Sequence, residues 1–164
     1  MDDPAGIGAH THRPGRGFRP TVSDVSEFSD EIVEFLSSGT RTGMLGYVAS
    51  DGRPLVAPVW FIVDGQELVF NTDKHTAKGR ALTRDPRVVI CVDDPHPPYS
   101  FVQVQGTVSI SEDPSELVST ATRIGARYIG ADRAEEFGRR NGVPGMLVVR
   151  VTPKKVIKAF NIAD

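Results

Sequence analysis

Two Asp-Gly dipeptides, Asp51-Gly52 and Asp64-Gly65, interrupt a stretch rich in β-branched and aromatic residues and constrain this chain more than any other feature. Asp-Gly between apolar runs is the strongest short-range hairpin signal, because both residues tolerate the positive φ that a tight two-residue turn demands. The runs Arg41 to Ala49, Leu55 to Val63 and Glu67 to Thr72 are therefore expected to pair as a three-stranded meander. Such short connections exclude a parallel doubly wound sheet, which needs a crossover after nearly every strand.

The remaining segments extend the same architecture. Phe28, Ile32, Phe35 and Leu36 fall on one helical stripe, with Ser26 as a cap and an end near Gly39. A second helical stretch runs from about Thr76 to Thr83 and stops at Asp85-Pro86, since the residue before proline avoids the helical region. Val88 to Val92 is continuously apolar, and Phe101 to Ile110 sets Val102, Val104, Gly106 and Val108 against Phe101, Gln103, Gln105 and Thr107, so both read as strands. Pro114 opens a helix through Leu117, Ala121, Ile124 and Tyr128. A short helix from Asp132 to Arg140 and a final strand from Met146 through Ile157 complete the chain. About six strands with interspersed short helices predict a mainly β fold, an antiparallel barrel whose closure removes exposed edges. Residues 1–20, crowded with Gly and Pro, are expected as a flexible arm before a single domain over 21–164.

Composition narrows the function. With 19 Lys and Arg against 21 Asp and Glu the net charge is −2, which argues against a non-specific nucleic-acid binder. Lone Cys91 excludes internal disulfides and dithiol redox chemistry and is expected as a buried small hydrophobe. No apolar run approaches the ~18 residues of a membrane span, and the N-terminus lacks a signal-peptide core, so a cytoplasmic location is expected. Walker, dinucleotide and nucleophile-elbow motifs are missing, as is any His/Cys metal spacing, so no metal is expected.

Chemistry concentrates at one junction. In Asn71-Thr72-Asp73-Lys74-His75-Thr76-Ala77-Lys78-Gly79-Arg80 a strand hands over to a helix. From 73 to 87 Lys74, Lys78, Arg80, Arg84 and Arg87 outnumber Asp73 and Asp85. A helix start with free N–H groups, threonine hydroxyls and a lysine one turn in makes an anion site, with Lys78 as the point charge facing a phosphate. A solvated basic face would carry the same residues. Pro58 cannot donate to a ladder, so its strand lies at an edge or opens there. Trp60 beside it reads either as one wall of a site for a flat heteroaromatic ligand or as core. The loop Asp93 to Tyr99, stiffened by three prolines, reads as a cover over a pocket or as a rigid connector. Neither His75 nor His96 has an evident carboxylate partner, so no acid-base pair is expected.

Taken together, Gly39-Thr40-Arg41-Thr42-Gly43, Ser50-Asp51-Gly52-Arg53-Pro54, Pro58-Val59-Trp60-Phe61, Thr76-Ala77-Lys78-Gly79-Arg80, Arg84-Asp85-Pro86-Arg87-Val88 and Gly106-Thr107-Val108 resemble the flavin/deazaflavin oxidoreductases with a pyridoxamine-phosphate-oxidase-like split β-barrel. The resemblance spans about Glu31 to Ala159 and is greatest to the branch that uses coenzyme F420. It implies a homodimer with a flavin-like cofactor in each of two grooves between subunits. It also implies hydride transfer between that deazaflavin and a small, flat organic substrate. Under it, Asn71, Thr76, Ala77, Lys78 and Arg80 bind the cofactor, Lys78 and its neighbours hold the phosphate, and Lys74, Arg80 and Arg84 are the further cations for the acidic tail. The backbone of Pro58, Val59, Trp60 and Phe61 contacts the ring, and the partner's Pro97 to Tyr99 loop, with Pro98 and Tyr99, helps to close the groove. An FMN-dependent oxidase or reductase, or a non-catalytic cofactor- or tetrapyrrole-binding protein, is the alternative on the same barrel.

Overall fold

The computed structural model describes residues 21–23 and 27–163; the arm expected over 1–20, and Ser26 as a cap, lie outside them. Along the described chain run β1 (Thr21–Ser23), α1 (Asp30–Ser37), β2 (Gly43–Val48), β3 (Pro54–Val59), β4 (Ile62–Asp64), β5 (Glu67–Asp73) and α2 (Ala77–Arg84). They continue as β6 (Arg87–Asp94), β7 (Ser100–Ser111), α3 (Pro114–Ile129), α4 (Ala134–Asn141) and β8 (Met146–Ala159). Among the described residues every strand pairing is antiparallel, in the order β3-β2-β6-β7-β8-β5-β4, with β1 added to β8. This is the expected antiparallel fold, with eight strands among the described residues where the sequence shows about six. Of the two extra ones, β1 is three residues long, too short for a periodicity to show, and β4 is the end of a run that the sequence reads as one longer strand.

Both Asp-Gly turns form. Gly52 at φ 85° and Gly65 at φ 59° take the positive φ that the hairpins β2–β3 and β4–β5 need. The run expected as one strand from Leu55 to Val63 breaks at Trp60 and Phe61, and the two pieces go to opposite ends of the sheet. The sheet is therefore not closed by hydrogen bonds. It is a split barrel whose two edges, β3 and β4, are joined through two residues of chain. Pro58, opposite Met44, sits in the edge strand β3, where its missing N–H costs no ladder bond to a further strand.

Inward residues of every long strand make one core. Leu45, Phe61, Leu68, Phe70, Ile90, Val92, Val102, Val104, Val149, Val151 and Val156 are fully buried, and α1 lays Ile32 and Leu36 upon them. Ser29, not Ser26, caps α1 by accepting the Ile32 N–H. α3 and α4 form a hairpin over β4, β5 and β8, around Ile62, Val69, Leu117, Ile124 and Val148. The two helices meet at close range: a Cβ on Gly125 would stand 2.9 Å from the Phe137 Cβ. Cys91 is half-buried on the outward face of β6 rather than in the core. Strand alternation decides this, because its neighbours Ile90 and Val92 take the inward positions.

Candidate functional site

The break between β3 and β4 is built by α3. Arg127 donates from Nη1 to the Phe61 carbonyl at 2.7 Å, from Nη2 to that of Leu36 at 2.7 Å and from Nε to that of Gly39 at 3.0 Å. The neighbouring Tyr128 hydroxyl accepts the Phe61 N–H at 3.2 Å and donates to the Arg41 carbonyl at 2.8 Å. One turn of α3 thus satisfies the backbone that leaves the sheet at this corner, which a buried polar backbone requires. Trp60 is 43% exposed and stacks on Tyr128, while Phe61 beside it is wholly buried. The core reading of Trp60 is thus corrected: alternation across the break turns Phe61 inward and leaves Trp60 outward.

Beside Trp60 opens a cavity of about 230 Å³. Pro58 and Val59 supply one side and Phe137 and Ile124 of the helical hairpin another, while Asn71 and Lys78 bring polar groups. Lys78 is half-buried on α2, and burial alone pushes its ammonium below the ordinary lysine value. No carboxylate pairs with it among the described residues. Asn71 donates weakly from Nδ2 to the Leu117 carbonyl at 3.4 Å, and its buried Oδ1 has no partner among the described residues. The arrangement offers one desolvated cation beside a mostly apolar, aromatic wall. It suits an anionic group carried on a flat ring.

Of the residues expected around a cofactor, the structure brings Pro58, Val59, Trp60, Asn71 and Lys78 to this one cavity. The others stand elsewhere, for physical reasons. The Phe61 side chain is fully buried and its N–H and C=O are taken by Tyr128 and Arg127, so it has nothing left to offer a ring. The Thr76 hydroxyl caps α2, accepting the Gly79 N–H at 3.0 Å and donating to the Asp73 carbonyl at 2.7 Å. Ala77 lies exposed on the first turn of α2. Arg80 leaves by the other flank of the helix and donates to the His75 carbonyl. Lys74 pairs with Glu112 at 2.8 Å and Arg84 donates to the Val48 carbonyl at 2.9 Å, so neither stands free beside Lys78.

Pro98 and Tyr99 do not line the cavity of their own chain. Their loop is fastened to the C-terminal residues, with the Tyr99 carbonyl accepting from the Ile162 N–H at 3.0 Å and that of Pro98 from the Ala163 N–H at 2.9 Å. His96 has the carboxylate partner that spacing does not reveal. Asp94 Oδ1 lies 2.9 Å from His96 Nδ1, and Asp94 Oδ2 accepts from Arg41 at 2.7 Å. These two hold the Asp94 carboxyl at about 2, Arg41 contributing most. The walls from α3 and α4 leave little trace in the sequence: Phe137, the one large apolar residue of its helix, is the available hint.

Comparison with known proteins agrees with the fold. The family model described as pyridoxamine 5′-phosphate oxidase matches residues 28–159. A solved structure of a conserved hypothetical protein from Mycobacterium tuberculosis is 25% identical, with a TM-score of 0.69 over 82% of this chain and 85% of that one. An F420 reductase is 28% identical, with a TM-score of 0.60 over 75% of this chain and 94% of the other. A heme binding protein from Mycobacterium smegmatis, 20% identical, shares the fold, with a TM-score of 0.60 over 77% of this chain and 52% of that one. No curated protein matches the chain.

Proposed function

We propose, since this chain belongs to the pyridoxamine 5′-phosphate oxidase family, that it is an oxidoreductase that binds coenzyme F420 and reduces a small, flat organic substrate. The observation that carries this reading is Lys78, a half-buried cation without a carboxylate partner among the described residues, set in a cavity walled by Trp60. When bound, the deazaflavin supplies the hydride. What the chain supplies is binding and orientation. Lys78 would hold the phosphate by a charge-assisted hydrogen bond, and the exposed face of Trp60, with Pro58 and Val59, would flank the ring. The 28% identity to an F420 reductase favours the deazaflavin. FMN has the same two recognisable parts, a phosphate and a tricyclic ring, and is the alternative that the test must separate.

The cavity supports a dimer as well. Its volume of about 230 Å³ falls below the roughly 300–1,000 Å³ usual for a bound cofactor. One chain therefore walls only part of the site. The outward face of β2, β3 and β6 is apolar, with Val56 66% and Met44 41% exposed. Covering that face with a second copy would bury it and bring a further wall to the groove, for which the partner's Pro98 and Tyr99 are the candidates.

The deciding experiment is titration of the purified protein with F420 and separately with FMN, following Trp60, the single tryptophan. Saturable binding of F420 at micromolar or tighter Kd, with FMN much weaker, is expected. Preference for FMN overturns the deazaflavin assignment, and failure of both overturns the cofactor reading altogether.

A further inference from the structure

A second cavity, of about 650 Å³, lies on the other flank of α2. Leu82 and Leu147 form its floor, Val108 and Ile110 of β7 its wall, and Arg80 and His75 its rim. Helix α2 therefore divides two sites: Lys78 faces one and Arg80 the other. The second is in the size range of organic-ligand sites and larger than the first. Its floor and wall are hydrocarbon, and Ile110 is 36% exposed, a large aliphatic surface left in water.

Charge at the rim selects the ligand. The positive charge of Lys74 is matched by Glu112 at 2.8 Å. Among the described residues Arg80 and His75 enter no ion pair: Arg80 donates to a backbone carbonyl, and the His75 backbone N–H is bonded to Asp73. One permanent cation, Arg80, thus overhangs an apolar trough beside His75, with the Lys74–Glu112 pair also on its lining. Glu112 and Lys74 cancel each other, so Arg80 alone offers its charge here: too little for a doubly charged phosphate, and unused by a neutral hydrocarbon. A single carboxylate on a hydrocarbon body satisfies both parts, because a guanidinium pairs a carboxylate through two parallel N–H donors.

We propose that this trough is a binding site for an amphipathic organic monocarboxylate, separate from the cavity at Lys78. The carboxylate lies at Arg80 and His75 and the hydrocarbon lies along Val108 and Ile110. The site does not depend on which cofactor the other cavity holds.

Calorimetric titration with decanoate tests it, with decanol and butyrate as the charge-free and chain-short controls. Saturable binding of decanoate, at least fivefold tighter than either control, is expected. Arg80→Gln should weaken decanoate at least fivefold while leaving decanol unchanged, and Ile110→Asp should abolish binding of both. Lys78→Ala should leave decanoate binding intact. Circular dichroism and thermal melting of each variant verify that it is folded, and Arg80→Lys, which keeps the charge but loses the planar fork, stands in if Arg80→Gln is not. The proposal is overturned if decanoate fails to saturate, if decanol binds as tightly, or if binding is lost in Lys78→Ala but kept in Arg80→Gln.

Discussion

Trp60 lies flat against Tyr128, their ring centroids 4.8 Å apart and their planes 4° from parallel. The stack fixes the indole at the mouth of the cavity with its remaining surface toward solvent. Because Trp60 is the single tryptophan, its emission reports on this site alone. A ring entering the cavity should quench it saturably, and Tyr128→Leu should weaken both the quenching and the affinity. Emission unchanged at saturating F420 or FMN would remove Trp60 from the binding surface.

Lys78→Ala should weaken phosphate-bearing ligands by about 1.5–3 kcal/mol, a Kd increase of roughly 10- to 150-fold. Ring analogues without phosphate should bind Lys78→Ala and the parent chain alike. Since burial holds the ammonium below the ordinary lysine value of about 10.4, raising the pH discharges it earlier than an exposed lysine. Affinity for the phosphate-bearing ligand should accordingly fall as the solution becomes alkaline, and in Lys78→Arg it should not. Isothermal titration across pH distinguishes the two.

Arg127→Met should leave the Leu36 carbonyl without its donor, while the Phe61 carbonyl keeps the Tyr128 hydroxyl at 3.3 Å and the Gly39 carbonyl faces solvent. One buried acceptor left unsatisfied costs about 1–3 kcal/mol, so a loss of about that size is expected, or roughly 2–12 °C in Tm. Arg127→Lys should rescue little, since an ammonium cannot reach three divergent carbonyls as the planar fork does. A melting temperature within about 2 °C of the parent, the size of one lost surface contact, would show that water replaces the clamp.

Val56→Glu places a charge at the centre of the exposed apolar face of β3 without touching the core. If a second copy covers that face, the variant should be a monomer by light scattering, with its Tm little changed at low concentration and its cofactor affinity reduced. A variant that keeps the parent's mass removes this face from the interface.

Asp94 carries an acid-stability signature. Its carboxyl is depressed from 3.8 to about 2 by Arg41 and then by His96. A depressed folded-state value stabilises above the unfolded value, and that stability is lost as the pH falls through the folded one. Between about pH 4 and about pH 2, Asp94→Asn should therefore lose less stability than the parent chain, measured as urea midpoints. Equal slopes in both proteins would mean that the Arg41 pair is fully screened by solvent.

How far the chain can be read in advance depends on whether a feature is local. The hairpins at Gly52 and Gly65, the alternation of Val102 and Val104 and the proline start of α3 are written in neighbouring residues, and the structure follows them. Lys78 and Asn71 stand out because they flank one strand-to-helix junction. Their meeting with Trp60 across the sheet, and with Phe137 from a helix 59 positions beyond Lys78, depends on topology that no window of sequence contains. Thr76 shows the converse error. A hydroxyl at a helix start serves a cap and a ligand site equally well on paper, and here the cap takes it. Likewise the Asp94–His96 pair is local, two residues apart, yet it depends on a turn conformation that three prolines nearby make hard to anticipate.

The two edges of the sheet are held together by the peptide linkage through Trp60 and Phe61 and by the grip of α3 on it. A mouth bordered by a hydrogen-bonded ladder can widen by unzipping one rung at a time. This one cannot, since its narrow side is covalent and its length is set by two residues. Cutting the chain there would leave every ladder among the described residues in place while freeing that side. The gauge of the opening on this side is thus a property of the backbone itself, and the helical hairpin opposite, with Ile124 and Phe137, is a wall that side-chain changes can reshape.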